Sequence, residues 1–275
     1  MTAPALPDCK SLLLSRDGSR LYVTLNDPPT RNALSPAMRE ELAAVLDAAG
    51  RDASLRVLIL AGSNGVFCSG GNIGGFRDSI TQIPEAGEAD PIAQSNREFG
   101  ELLLQLNAIP RTVIAVIEGP AFGGGFGLAC AADIAIAKAD AKFALSETSL
   151  GLVPAQIAPF VANRVGLAQA RRLALSGARI SADEAFRIGL VHYLCADTAA
   201  LAATLRQVLD AVGRCAIGAN AATKEVLLAT QENPVREVLD RAAQLFAQQM
   251  RSTEGREGVA AFLEKRPAAW VDKIE

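Results

Sequence analysis

Two glycine-rich turns are the features of this sequence best suited to chemistry. Cys68-Ser69-Gly70-Gly71-Asn72 and Gly123-Gly124-Gly125 occupy matching places where a strand gives way to a helix, and glycine there lets backbone N–H groups reach a ligand with no Cβ in the way. A helix opening at Gly124 also aims its unpaired N–H groups and positive dipole end at that ligand. Two such turns facing one point would make an oxyanion hole. Taken alone, a glycine cluster serves close helix packing equally well. A dinucleotide fingerprint fits poorly, because Cys130 stands where the third glycine after Gly125-Phe126-Gly127 belongs, and no suitable acid ends the next strand. The one histidine, His192, would have to serve any Ser-His-Asp triad, and a zinc site built on several histidines is impossible. Its setting, Gly-Leu-Val-His-Tyr-Leu, reads as a short strand after a helix stop, so its role is structural.

The elements that must carry these turns follow from the pattern. Ser11–Leu14 and Arg20–Asn26 form a hairpin about Asp17-Gly18. Ser35-Pro36 opens a helix that should stop at Gly50. Arg56–Ala61 is a buried strand that feeds the loop Gly62–Gly75, with its six glycines. The plan then repeats: a helix around Gln94–Asn107, a strand Thr112–Glu118, the Gly123–Gly127 turn into a helix, and a strand Asp133–Ala137. Strands alternating with crossover helices predict a wound α/β core. Beyond Leu150 the pattern turns helical, with a capping box at Ser181 and Glu184. From Asp197 three or four Ala/Leu-rich helices follow, broken at Asn233-Pro234 and Ser252-Thr253. This divides the chain into a catalytic domain over 1–196 and a helical oligomerisation domain over 197–275.

Composition narrows the function. Lys and Arg number 27 against 30 acids, a net charge of −3, so no positive field gathers nucleic acid. The five scattered cysteines include no C-x-x-C pair, which argues against a disulfide framework or a thiolate metal cluster and fits a reducing cytoplasm. Met1–Lys10 lacks the marks of a signal peptide. The apolar region Thr112–Ala137 is broken by Glu118, Asp133 and glycines, so no membrane span is expected.

The stretch Ile114-Ala115-Val116-Ile117-Glu118-Gly119-Pro120-Ala121-Phe122-Gly123-Gly124-Gly125 resembles the glycine-rich signature of the crotonase (enoyl-CoA hydratase/isomerase) superfamily, and Phe67-Cys68-Ser69-Gly70-Gly71-Asn72-Ile73 resembles its first oxyanion loop. The resemblance runs nearly end to end, through Arg31-Asn32-Ala33-Leu34, Glu147–Pro154, Gly177–Val191 and Glu254–Arg266. It implies a ββα-spiral core, a C-terminal helical trimerisation region, commonly a dimer of trimers, and a CoA thioester as ligand, with no cofactor besides that CoA. By position Gly71 and Gly124 supply the two N–H donors to the thioester oxygen. Glu147, by itself an ordinary surface carboxylate, falls where the family carries a catalytic glutamate, and an apolar acyl pocket would raise its pKa above the free value of about 4.3. The family pattern further places Ala33, Ser69, Asn72, Ile73, Gly127 and Ala155 at the substrate. It puts Arg31 at a CoA phosphate, and Phe262 with Lys265 at the CoA of a neighbouring subunit.

Two departures matter. Asn72 replaces a more usual aspartate, and Gly127 stands where hydratases of the family carry a second glutamate. Glycine at 127 leaves an expected gap beside the site, room for a branched substrate, and one acid/base fewer. The wording Gly123 to Cys130 with Glu147 to Phe160 is similar to the isohexenylglutaconyl-CoA hydratases. The alternatives are an enoyl-CoA isomerase, which needs a single base, and a scaffold that binds CoA without turnover. Asp78–Asp90 is expected to cover the acyl pocket as a loop, with Glu85 and Glu88 as outside candidates for a second acid/base and Arg77 or Arg97 as candidates for a substrate carboxylate.

Overall fold

The computed structural model describes residues 4–72, 74, 80, 81, 83, 84 and 87–271. The expected hairpin forms from Leu12–Asp17 (β1) and Arg20–Leu25 (β2), paired antiparallel from Leu12–Leu25 to Asp17–Arg20. The further strands among the described residues are Val57–Gly62 (β3), Thr112–Ile117 (β4), Ala121–Phe122 (β5), Ile134–Lys138 (β6), Lys142–Ala144 (β7), Arg179–Ser181 (β8) and Tyr193–Cys195 (β9). The main sheet runs β1-β2-β3-β4-β6-β9 and is parallel after its first pair. A second sheet, β5-β7-β8, was not expected from the sequence. Its strands are two or three residues long, too short for an alternation to show.

The α-helices among the described residues include Pro36–Arg51 (α1), Pro91–Ala108 (α2), Gly124–Ala131 (α3), Ala158–Ser176 (α4), Ala182–Arg187 (α5), Thr198–Gly213 (α6), Ile217–Ala229 (α7), Val235–Arg251 (α8) and Thr253–Leu263 (α9). Their starts obey the capping chemistry of the sequence. Ser35 accepts from Met38 N, Asp90 from Ile92 N and Ala93 N, Ser181 from Glu184 N, and Asp197 from Ala200 N. Gly50, expected to stop α1, lies inside it: it is not left-handed, and the helix closes at Arg51 with Asp52 N bonded to Ala49 O. Of the C-terminal helices, α6 lays Leu201, Val208, Leu209 and Val212 against Val57, Ile59, Ile114, Val116 and Ile136 on one face of the main sheet. No helix among the described residues is long and apolar enough to cross a membrane.

The short helix α3 is buried along its whole length, so both its ends need partners inside the protein. At its C-terminal end the Arg164 guanidinium, on α4, donates to Cys130 O at 3.0 Å and to Ala132 O. A cation on these carbonyls offsets the negative end of the helix dipole. Arg164 also lies beside His192, whose Nδ1 accepts from Ala135 N at 3.0 Å. Burial, with the Arg164 charge beside the ring, depresses the imidazole pKa. His192 is thus a neutral structural side chain, as the sequence suggests. Asp133 is structural too: it accepts from Val113 N at 2.7 Å and pairs with Lys224 at 2.9 Å. Replacing Arg164 by methionine keeps the stem but strands two buried carbonyls. Urea denaturation should show a loss of about 2–5 kcal/mol, whereas a change under about 0.5 kcal/mol, the scale of a plain surface site, would contradict the capping role.

Candidate active site

The first glycine turn is placed by main-chain pairing. After β3 the chain returns so that Cys68 N donates to Pro120 O at 3.0 Å and Phe122 N to Cys68 O at 2.9 Å, forming a parallel bridge between Cys68 and Ala121. Gly70 then lies against the second turn: a Cβ built on it would stand 3.2 Å from Phe122 O and 3.8 Å from Gly123 Cα. Arg31 O accepts from Ser69 N at 3.1 Å, and Gly70 O accepts from Leu34 N at 2.8 Å, which lays residues 31–34 along the outer side of the loop. The Ser69 hydroxyl donates to Thr30 O at 2.9 Å.

The second turn needs glycine for its backbone. Gly123 has φ 49° and ψ −114°, a conformation that L side chains rarely adopt, and its N–H is held by Ala144 O at 2.9 Å. Gly124 begins α3, so its N–H has no partner within the helix. Among the described residues neither the Gly71 nor the Gly124 N–H donates to a protein atom. Packing closes in behind: a Cβ on Gly125 would come 2.6 Å from Cys68 Cβ, and one on Gly124 would come 2.7 Å from Leu34 Cδ1 and 3.3 Å from Phe99 Cζ. Burial pushes the Cys68 thiol up to about 12, so it packs as an inert neutral group.

Glu147 opens a single turn of 3-10 helix over Glu147–Leu150. Its Oε1 lies 2.9 Å from the point where a Cβ on Gly123 would stand, so the carboxyl reaches the second glycine turn only because residue 123 is glycine. Its Oε2 is buried and has no hydrogen-bond partner among the described residues. Burial raises the Glu147 pKa above the ordinary carboxylate value, against a smaller opposing hydrogen bond from its own backbone N–H. An unsatisfied buried carboxylate oxygen is costly, and such groups cluster at functional sites.

The structure brings Arg31, Ala33, Ser69, Gly71 and Asn72 together on one side, and Gly124, Gly127 and Glu147 on the other. Ile73, Arg77 and Glu85 lie outside the described residues. Ala155 is exposed, in the segment between Glu147 and α4. Phe262 is 83% exposed and Lys265, with φ 54°, is exposed just beyond α9, a helix that packs on α7 and α8. Arg97 pairs with Glu101 along α2.

At the site, the expectation of a gap is overturned. The space beside Gly127 is not a gap, because Ile157 fills it: a Cβ on Gly127 would stand 3.0 Å from Ile157 Cβ and overlap Ile157 Cγ2. Close packing explains the outcome, since a notch left by glycine in an interior is taken up by a neighbouring side chain. Sequence reasoning also missed Asn32, which is 1% exposed and left-handed with φ 59°. Its side chain accepts from Asp27 N at 2.9 Å and donates to Ser63 O and Val66 O at 3.1 and 2.7 Å, pinning the loop that leads to Gly71. Asparagine's tolerance of the left-handed region was the available signal. For Ile157 there was none, because its partner is 30 residues away in the chain.

Known proteins match this chain over nearly its whole length. Residues 16–273 match the model of the family described as Enoyl-CoA hydratase/isomerase. A probable enoyl-CoA hydratase of Rhodobacter capsulatus is 37% identical over 247 residues, 89% of this chain and 91% of that one. The 1,2-epoxyphenylacetyl-CoA isomerase of Escherichia coli is 31% identical over 92% of this chain and 95% of its own. Among solved structures, Pseudomonas aeruginosa AtuE superposes with a TM-score of 0.91 at 48% identity, covering 96% of this chain and all of that one. With its paired glycine turns, its buried carboxylate and its mixed α/β core joined to C-terminal helices, the chain belongs to the enoyl-CoA hydratase/isomerase (crotonase) family of acyl-CoA enzymes.

Proposed function

We propose that the chain hydrates a branched 2-enoyl-CoA of the isohexenylglutaconyl-CoA type, carrying a γ-carboxyl group, with Glu147 as the single acid/base. The observation that carries this reading is the buried, unpartnered Oε2 of Glu147 beside the turn that presents the Gly124 N–H. The N–H groups of Gly71 and Gly124 accept the negative charge that develops on the thioester oxygen, each contributing about 2.7–4 kcal/mol. The Glu147 carboxylate takes a proton from water as the water oxygen bonds to C3 and the alkene electron pair moves into the enolate. The carboxyl then returns that proton to C2, the thioester carbonyl reforms, and one water has been added. The acyl chain is read from the wording of Gly123–Cys130 and Glu147–Phe160.

A specific observation favours a second reading, double-bond isomerisation. Ile157, not an acid, faces Gly127, and moving a double bond requires one base that removes and returns a proton. We infer further that the enzyme works as a homo-oligomer, a trimer or dimer of trimers, in the cytoplasm and without a cofactor beyond the substrate's CoA. Leu227, Val235, Leu239, Phe246 and Met250 are 51–72% exposed on α7 and α8, an apolar surface that association would cover. On this reading Arg31 meets a CoA phosphate, and Phe262 and Lys265 reach a neighbour's CoA.

Turnover in oxygen-labelled water separates the two chemistries. Label in the product is the expected result, and a shifted double bond without oxygen gain would replace hydration by isomerisation. Glu147→Gln should lower turnover by about 10²–10⁴-fold while binding of a CoA thioester persists in calorimetry; unchanged turnover would remove Glu147 from the mechanism. Because the base must be ionised, kcat/KM should rise with pH along an acid limb displaced above the ordinary carboxylate value of 4.5. Stability moves the other way. A carboxyl whose folded pKa is raised favours the fold while protonated, and that contribution is lost as pH rises through the folded value. Glu147→Gln should therefore melt above the wild type at neutral pH, the difference closing below about pH 4.5; an equal or lower Tm at neutral pH would contradict the burial argument.

A further inference from the structure

Two consecutive residues between Glu147 and α4, Gln156 and Ile157, each sit in a notch that a glycine leaves on a different helix. On α2 the notch is Gly100, where a Cβ would stand 3.0 Å from Gln156 Cδ and 3.0 Å from Arg97 Nη1, and would overlap the Gln156 carboxamide oxygen. Gln156 Nε2 also donates to Asn96 Oδ1 at 2.9 Å, one turn earlier on the same helix. On α3 the notch is Gly127, filled by Ile157, which is 3% exposed. The same two helices wall the space beside the oxyanion turn. Phe99 of α2 approaches Gly124, and Leu103 of α2 lies 3.7 Å from where a Cβ on Gly127 would be. Gly127 follows Gly124 by three residues, so it occupies the same helix face about 4.5 Å further along.

The geometry points to Gln156 and Ile157 as a two-pronged wedge that fixes the spacing of α2 and α3, with Ile157 as the specificity-determining residue that limits acyl bulk beside the reacting carbons. The inference rests on the proposed reaction of a 2-enoyl-CoA at Glu147. Gln156 anchors the wedge by a polar contact on the α2 side. Ile157 supplies the apolar surface on the α3 side, where a substituent on C3 of the substrate would pack. A packed interior does not yield freely to one extra methylene, and a pocket contact of that size discriminates about 10–200-fold between substrates. The pair at 127 and 157 is also coupled: a side chain can be added at one position only if the other gives up volume.

The test uses the full-length enzyme and compares kcat/KM for 2-butenoyl-CoA, 3-methyl-2-butenoyl-CoA and longer 3-alkyl-2-enoyl-CoA esters. Ile157→Ala should shift the ratio of 3-alkyl to straight-chain ester upward by about tenfold or more, and Ile157→Val, which removes one methyl group and keeps the fold, should shift it the same way by less. Gly127→Ala should lower kcat/KM about tenfold or more on every ester, and Gly127→Ala combined with Ile157→Ala should recover most of that loss. Thermal melting of each variant separates a refilled pocket from an unfolded chain. An unchanged ratio in both Ile157 variants, a fully active Gly127→Ala, or a double variant no better than Gly127→Ala would each overturn the wedge. Those outcomes leave the proposed reaction at Glu147 intact, whereas a wild-type enzyme that converts none of these esters and no 3-alkylglutaconyl-CoA would defeat that reaction and the wedge with it.

Discussion

Two main-chain hydrogen bonds, Cys68 N to Pro120 O at 3.0 Å and Phe122 N to Cys68 O at 2.9 Å, hold the glycine loop after β3 against the glycine turn after β4. Everything proposed at the site depends on that crossing. Donors fixed by backbone pairing need no reorganisation when charge develops on a bound carbonyl oxygen, which is why main-chain amides stabilise enolates so effectively. The neighbouring bonds close the arrangement: Leu34 N to Gly70 O fixes the outer loop, and Gly123 N to Ala144 O ties the inner turn to the second sheet. The three-stranded sheet, slight as it is, therefore serves to anchor one wall of the site.

Placing a carboxyl group here sets stability against function. Glu147 is kept from solvent and one of its oxygens has no partner among the described residues, an arrangement that opposes ionisation and weakens the fold at neutral pH. The same arrangement brings the carboxyl's proton affinity nearer to that of the groups it must serve. The local field points one way along α3: its N-terminal N–H groups lie by the glycine turns, and its C-terminal carbonyls are met by Arg164. Satisfying the far end with a cation lets a helix of only eight residues stay buried with its near end free for the substrate of the proposed reaction.

Much of this was legible in the sequence because its causes are local. Asp17-Gly18 specified the hairpin, Ser35-Pro36 and Ser181 with Glu184 specified helix starts, and the apolar runs of β3 and β4 announced buried parallel strands. The structural role of His192 also followed from its neighbours in the chain. What escaped was non-local. The strands β5, β7 and β8 are defined by pairing rather than by pattern, and Gly50 reads as a stop only if its backbone turns left-handed, which it does not. Arg164 gave no sign of its role because the carbonyls it caps lie 32 and 34 residues earlier.

The largest error of sequence reasoning is also the most instructive for mechanism. A glycine in place of an expected glutamate looks like a vacancy when only the chain is read, but in a close-packed interior the volume is taken by a neighbour, here Ile157. The loss of a carboxylate and the gain of a branched apolar side chain are thus one structural change seen from two positions. Restoring an acid at 127 would require Ile157 to withdraw first, and its withdrawal would leave the carboxylate facing an apolar wall of Leu103 and the α3 core, where ionisation is opposed. The surroundings of Gly127 are built for hydrocarbon contact, and in the proposed reaction the proton traffic at these glycine turns falls to Glu147.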